Sequence, residues 1–204
     1  DRLVCNSEST QRSLRAYERL TTAKKTTVIY NGVDSAQFAT KPANGDGGEQ
    51  PHLIVGTVGR LIPQKDHPVT LRAIRLLRDS GLECRLELIG GGPELASLVD
   101  YSVQLGIDDL VTFHGRVGRA EVARALTAMD IFVAASRSEG FCNAVVEAMA
   151  ASVPVVCSDI DTLREVVADA GTYFRVGDAE DLSENIAELV RDPLRRRQQG
   201  AHGL

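Results

Sequence analysis

From His52 onward the chain alternates short apolar runs with helix-patterned stretches, and this alternation narrows the fold more than any other feature. The runs LIVGTV, CRLELIG, LVTFHG, DIFVAA and VPVVCSD are rich in residues that favour strands. Between them, HPVTLRAIRLLRDSG and PELASLVDYSVQLG read as helices stopped by Gly81 and Gly106, followed by RAEVARALTAM and NAVVEAMAAS. Pro93 suits the first turn of its helix. A weaker pair, TLREVVADA and GTYFRV, leads to a last helix, DAEDLSENIAELVRD, with the arginine-rich RDPLRRRQQG (Arg191, Arg195, Arg196 and Arg197) read as its solvated end, whose positive charge suits a helix carboxyl terminus. Short buried strands separated by helices imply a parallel sheet covered on both faces, here a doubly wound α/β domain of about six strands.

The first 50 residues follow a different pattern. LVCNSEST reads as a strand end and loop offering helix caps, QRSLRAYERL as a short amphipathic helix, TTVIY as a strand, and Asn31–Gly32 as a turn that stops it. TKPANGDGGEQPH is polar and rich in Gly and Pro, the composition of a linker. Residues 1–50 are therefore expected to be the tail of another unit plus a link, and residues 51–204 the compact domain. A chain of 204 residues with 43% hydrophobic content can bury such a core.

Charge and cysteine usage exclude several functions. A net charge of −5 argues against coating a nucleic acid but leaves room for a small phosphorylated ligand held by one or two bases. No apolar run approaches bilayer length and the first residues do not resemble a secretory leader, so a cytoplasmic setting is expected. Cys5, Cys84, Cys142 and Cys157 lie singly and read as reduced thiols, and the four histidines lack metal-ligand spacing, so no metal is expected.

In a doubly wound sheet, ligands bind beyond the carboxyl ends of the strands. Three loops at that edge carry chemistry. In VGRLIPQKD, Gly59 ends a strand and Arg60 and Lys65 follow; they fit either a clamp on a diphosphate or ordinary surface bases. IGGGPE, with Gly91 and Gly92, allows close backbone approach, which serves a phosphate or a structural turn equally well. In SRSEGFCNAVVEAMA, Gly140 would permit an unusual turn, and the backbone N–H groups from Gly140 through Phe141 and Cys142 to Asn143 would face the cleft at a helix start. Glu147 lies four residues past Asn143, on the same helix side. A carboxylate within that apolar run needs a partner, either ribose hydroxyls or an internal arginine. Glu139 would meet a second polyol or face water.

Taken in order, VIYNGVDSAQF, VGRLIPQKD, ELIGGGPE, VTFHGRV and DIFVAASRSEGFCNAVVEAMAASVPVVCSD resemble the carboxyl-terminal, donor-binding domain of retaining GT-B glycosyltransferases of group 1, family 4. The resemblance implies a Rossmann-like sheet forming one half of a GT-B fold and transfer of a sugar from a nucleoside diphosphate sugar to a hydroxyl acceptor, a glycan or a lipid-linked group. It implies Arg60 and Lys65 on the diphosphate, Glu139 near the sugar hydroxyls, Glu147 on the ribose, the amides of residues 140–143 around sugar and phosphate, and Gly115, Arg116 and Val117 near the base. No cofactor is implied beyond the donor, for which UDP is favoured on class frequency alone. For the whole protein, peripheral association at the inner membrane face belongs to the same expectation. An epimerase or phosphorylase of the same plan, or a non-catalytic nucleotide-binding scaffold, are the competing functions.

The sequence also departs from the family pattern. Ser152 stands where glycine is common, and Asp161 and Thr162 replace a flexible glycine pair near the sugar site. Glu165 matches a commonly acidic position and is expected to be structural. Because the acceptor-binding amino-terminal domain is not represented, the 204 residues are expected to bind donor and not to complete the reaction.

Overall fold

The computed structural model of the protein describes residues 3–14, 25–38 and 53–203. Strands β1 (Leu3–Cys5) and β2 (Thr26–Val28) form a small parallel sheet of their own, with helix α1 (Glu8–Ser13) between them in sequence. Ser7 caps α1 by accepting from the N–H of Thr10, so the helix starts ahead of the expected QRSLRAYERL and ends before Leu14. The remainder of that expected helix, and the linker TKPANGDGGEQPH, lie outside the described residues.

The main sheet contains β3 (Leu53–Val58), β4 (Cys84–Ile89), β5 (Val111–Gly115), β6 (Ile131–Ala134), β7 (Val155–Ser158) and β8 (Gly171–Phe174). Its order is β5-β4-β3-β6-β7-β8 and every pairing is parallel, the arrangement expected of a Rossmann-like doubly wound fold. The intervening helices are α2 (His67–Asp79), α3 (Leu95–Gln104), α4 (Arg119–Ala128), α5 (Asn143–Ala150), α6 (Asp161–Val167), α7 (Ala179–Arg191) and α8 (Pro193–His202).

Strand periodicity explains the two cores. Along β6, Ile131 and Val133 join one buried cluster with Leu71, Leu77 and Ile186 of α2 and α7, while Phe132 and Ala134 join the other with Leu126, Val145 and Leu163 of α4, α5 and α6. Both faces are thus dry, which is why these strands read as continuous apolar runs.

Two helix boundaries differ from expectation. Pro93 precedes α3, which starts at Leu95. The arginine-rich end is a separate helix: Asp192 caps α8 by accepting from Arg195 N–H, and Pro193 cannot extend α7 through a backbone N–H. Arg196 then closes the end of α7 by donating to Leu189 O at 2.7 Å. Ser152, just past α5, has φ +56, a left-handed conformation that accounts for glycine at this position in the resembling family.

Candidate functional site

Strand order reverses between β3 and β6, and the loops following these two strands face each other there. The β3 loop carries Gly59, Arg60 and a short 3-10 turn, Pro63–Lys65. Asp66, at φ +49, joins this turn to α2, and His67 Nε2 lies 3.2 Å from Arg60 O. Burial holds the His67 imidazole below its ordinary pKa, so it is neutral at pH 7.

The glycine loop supports this segment from behind. Leu61 N–H donates to Gly91 O at 3.1 Å and Glu94 N–H to Leu61 O at 3.2 Å. A Cβ on Gly92 would lie 2.2 Å from Leu61 O, and one on Gly90 would lie 1.8 Å from Gly59 O. These glycines therefore allow backbone to lie on backbone, and the structure supplies a packing reason for IGGGPE. The loop after β5 joins the same corner: Gly90 N–H donates to Gly115 O at 2.8 Å, and a Cβ on Gly91 would meet Arg116 Cβ at 3.7 Å. Val117 packs against the α4–α5 core cluster.

Across the crevice, Glu139 is not solvated. Its Oε1 accepts from Ser136 Oγ at 2.6 Å and from Lys65 Nζ at 2.5 Å, with both charged side chains largely buried. Lys65 is thus positioned by Glu139 in this structure, whereas Arg60 is exposed. Gly140 stands at a bend in the chain, without a left-handed φ. A Cβ there would make only ordinary contacts with Thr10 and Asn6, at 3.7 Å or more.

Helix α5 starts at Asn143, as the sequence indicates, and Cys142 is buried behind it. Burial pushes the Cys142 thiol up to about 11, so this residue presents backbone and not a thiolate. One turn on, Glu147 is half-buried and, among the described residues, forms no ion pair. Desolvation raises its carboxyl above the ordinary range, and Arg119 offsets part of that shift. The internal-arginine alternative for Glu147 thus reduces to a long-range attraction. A cavity of about 390 Å³ lies here, lined by Asn31, Asp34, Arg119, Asn143 and Glu147 among others. Asn31 Nδ2 donates to Asn143 Oδ1 at 2.8 Å, bringing the segment after β2 to the helix start, and the Phe141 and Tyr30 ring centroids lie 6.4 Å apart.

Several contributors escaped sequence reasoning. Ser136 could have been found from its place three residues before Glu139. Ser7 and Thr10, which touch the Gly140 carbonyl, carry no local signal, because they lie some 130 residues away in the chain, whereas Thr162, noted as a departure from the family pattern, donates to Glu139 O. Glu165, expected to be structural, accepts from the backbone N–H groups of Glu8 and Ser9 at 2.6 and 2.8 Å. Burial would raise its pKa, but these two bonds and the Tyr30 hydroxyl outweigh it and hold the carboxyl below its ordinary range. Among the described residues no group of three His, Cys, Asp or Glu side chains is placed to hold a metal ion, and no helix is long and apolar enough to cross a membrane.

Comparison with known proteins agrees with this architecture. The family model described as "Glycosyl transferases group 1" matches residues 45–203. A D-inositol 3-phosphate glycosyltransferase of Saccharomonospora viridis is 31% identical over 95% of this chain and 48% of its own length. The Anabaena protein HepE, solved in complex with UDP and glucose, superposes with a TM-score of 0.85 at 23% identity, over 99% of this chain and 57% of HepE. The carboxyl-terminal domain of the group 1 protein LpcC from Francisella tularensis superposes with a TM-score of 0.72 at 22% identity, over 84% of this chain and 94% of that domain. The chain spans about half the length of the curated relatives it matches.

Proposed function

This chain belongs to the group 1 glycosyl transferase family, and from that premise we propose that it is the donor-binding half of an enzyme that transfers a sugar, with retention, from a nucleoside diphosphate sugar to a hydroxyl acceptor. The observation that carries the reading is the meeting, where strand order reverses, of Lys65 from the β3 loop, which also carries Arg60, with Glu139 from the β6 loop that leads into α5. In this reading Arg60 and Lys65 take up the negative charge that grows on the departing diphosphate as the anomeric carbon–oxygen bond breaks. Lys65 is delivered by Glu139, whose carboxylate also faces the sugar hydroxyls. The amides of residues 140–143 contact sugar and phosphate, and Glu147 accepts from the ribose. Gly91 and Gly92, with residues 115–117, shape the base side of the crevice. UDP is the favoured nucleotide, supported by the HepE complex at the level of fold.

Arg60→Ala tests the assignment without disturbing the Lys65–Glu139 pair. In the intact protein, donor consumption in the presence of acceptor is expected to fall on the order of a hundredfold, with an unchanged circular dichroism spectrum. Arg60→Ala combined with Lys65→Ala should remove nearly all transfer. Wild-type turnover in the folded double variant would defeat the reading.

A further inference from the structure

The segment preceding the link holds the donor loop by its carbonyls. Ser7 is fully buried; its hydroxyl accepts from Thr10 N–H at 2.9 Å and donates to Gly140 O at 2.7 Å. Thr10 Oγ1 lies 2.9 Å from the same carbonyl and 2.8 Å from Ser7 Oγ, so the two hydroxyls and the carbonyl form one hydrogen-bonded cluster. Thr162, also buried, donates to Glu139 O at 2.9 Å, and the Ser9 hydroxyl, 3.0 Å away, can supply a proton to Thr162 Oγ1 in turn. Glu165 secures the arrangement by accepting from two backbone N–H groups of α1. Two consecutive carbonyls, from residues that belong to the β6 loop, are thus both turned toward α1 and α6.

Peptide geometry converts this into a consequence for the opposite side. There is no cis bond in the described chain, so each carbonyl and the N–H of its own peptide unit point in opposite directions. Fixing the carbonyls of Glu139 and Gly140 therefore aims the N–H groups of Gly140 and Phe141 away from α1 and α6. Among the described residues neither of these N–H groups has a backbone acceptor. They are two oriented donors beside the start of α5, and Thr162 does here what a glycine at that position could not.

We propose that Ser7, Thr10 and Thr162 form a hydroxyl clasp that positions the Gly140 and Phe141 amides for an anionic oxygen of the donor diphosphate, so that residues ahead of the link set the donor site without touching donor. The proposal rests on the donor-binding reading above. It makes the three hydroxyl residues positioning residues, with Thr162 the one supplied by the main domain.

The test uses isotopically labelled intact protein, titrated with inorganic pyrophosphate and with UDP, and follows the amide resonances of Gly140, Phe141 and Arg60. Wild type is compared with Ser7→Ala/Thr10→Val and, as a near-isosteric variant less liable to misfold, with Thr162→Val alone. The expected result is a pyrophosphate-dependent shift of the Gly140 and Phe141 amides in wild type, with affinity for both probes weakened on the order of tenfold in the variants at an unchanged circular dichroism spectrum. Affinity for uridine, which has no phosphate, should be unaltered, a pattern that general loosening of the fold would not produce. Equal pyrophosphate affinity in wild type and Thr162→Val overturns the clasp and leaves the donor site standing. A response at Arg60 with none at Gly140 and Phe141 also overturns it. No response to either probe at any of the three amides removes both the clasp and the donor reading.

Discussion

Glu147→Gln separates a ligand-binding carboxylate from a structural one. The side chain is half-buried, raised in pKa by desolvation, and without an ion pair among the described residues, so its charge is held at some cost and is not repaid within the described fold. Replacing it with the isosteric amide removes that cost and breaks no side-chain hydrogen bond among the described residues; with solvent screening of a group this exposed, stability should change by less than about 0.5 kcal/mol. Ribose binding should respond very differently. Two hydroxyls donating to a carboxylate make charge-assisted bonds, and their weakening to amide bonds should cost about 1–3 kcal/mol, or roughly 5- to 150-fold in UDP affinity. For 2',3'-dideoxy-UDP, which lacks both hydroxyls, the loss should be near zero. UDP affinity in wild type should also decline as pH falls through the raised carboxyl pKa, because the ionised form is the acceptor, and this decline should vanish in the variant. Isothermal calorimetry with both nucleotides, alongside thermal denaturation, reads all three effects. Equal weakening of the two nucleotides, together with a lowered melting temperature, would show that Glu147 is a structural partner and refute the reasoning.

Two further outcomes follow from the β3 loop and its support. Gly92→Ala places a Cβ against Leu61 backbone atoms at 2.2 to 2.7 Å and should cost about 1–3 kcal/mol in urea unfolding with weaker UDP binding, whereas Gly91→Ala, with contacts no closer than 3.7 Å, should stay within about 0.5 kcal/mol; equal unfolding midpoints would show that the two loops are not in contact. His67 has a native pKa below 6.5, so the unfolded chain binds its proton first and this group's contribution to stability is lost as pH falls from 6.5 through the native value. Urea midpoints across that range should fall less steeply in His67→Gln than in wild type, and parallel slopes would contradict the burial of a neutral imidazole.

The strands and their order of appearance were legible because a sheet covered on both faces demands apolar side chains at successive positions, and VVCS in β7 is buried throughout. The start of α5 at Asn143 was legible because a polar residue there precedes the helix-forming run AVVEAMA. The arginine-rich end misled because its charge suits a helix terminus, while the cap supplied by Asp192 and the break at Pro193 divide it into two helices. At Gly140, glycine suggested an unusual turn, and the chain bends there without a left-handed φ.

By itself the sequence determined where strands and helices form, since their periodicity and stops act over a few neighbouring residues. It also placed the bases and carboxylates on particular loops. Tertiary structure alone decided that Lys65 and Glu139 pair, that Gly92 is required by Leu61, and that Ser7 reaches Gly140 across 133 positions of chain. Such contacts depend on how β3 and β6 come together at the reversal of strand order, and no local pattern encodes the distance between residues brought together by that packing.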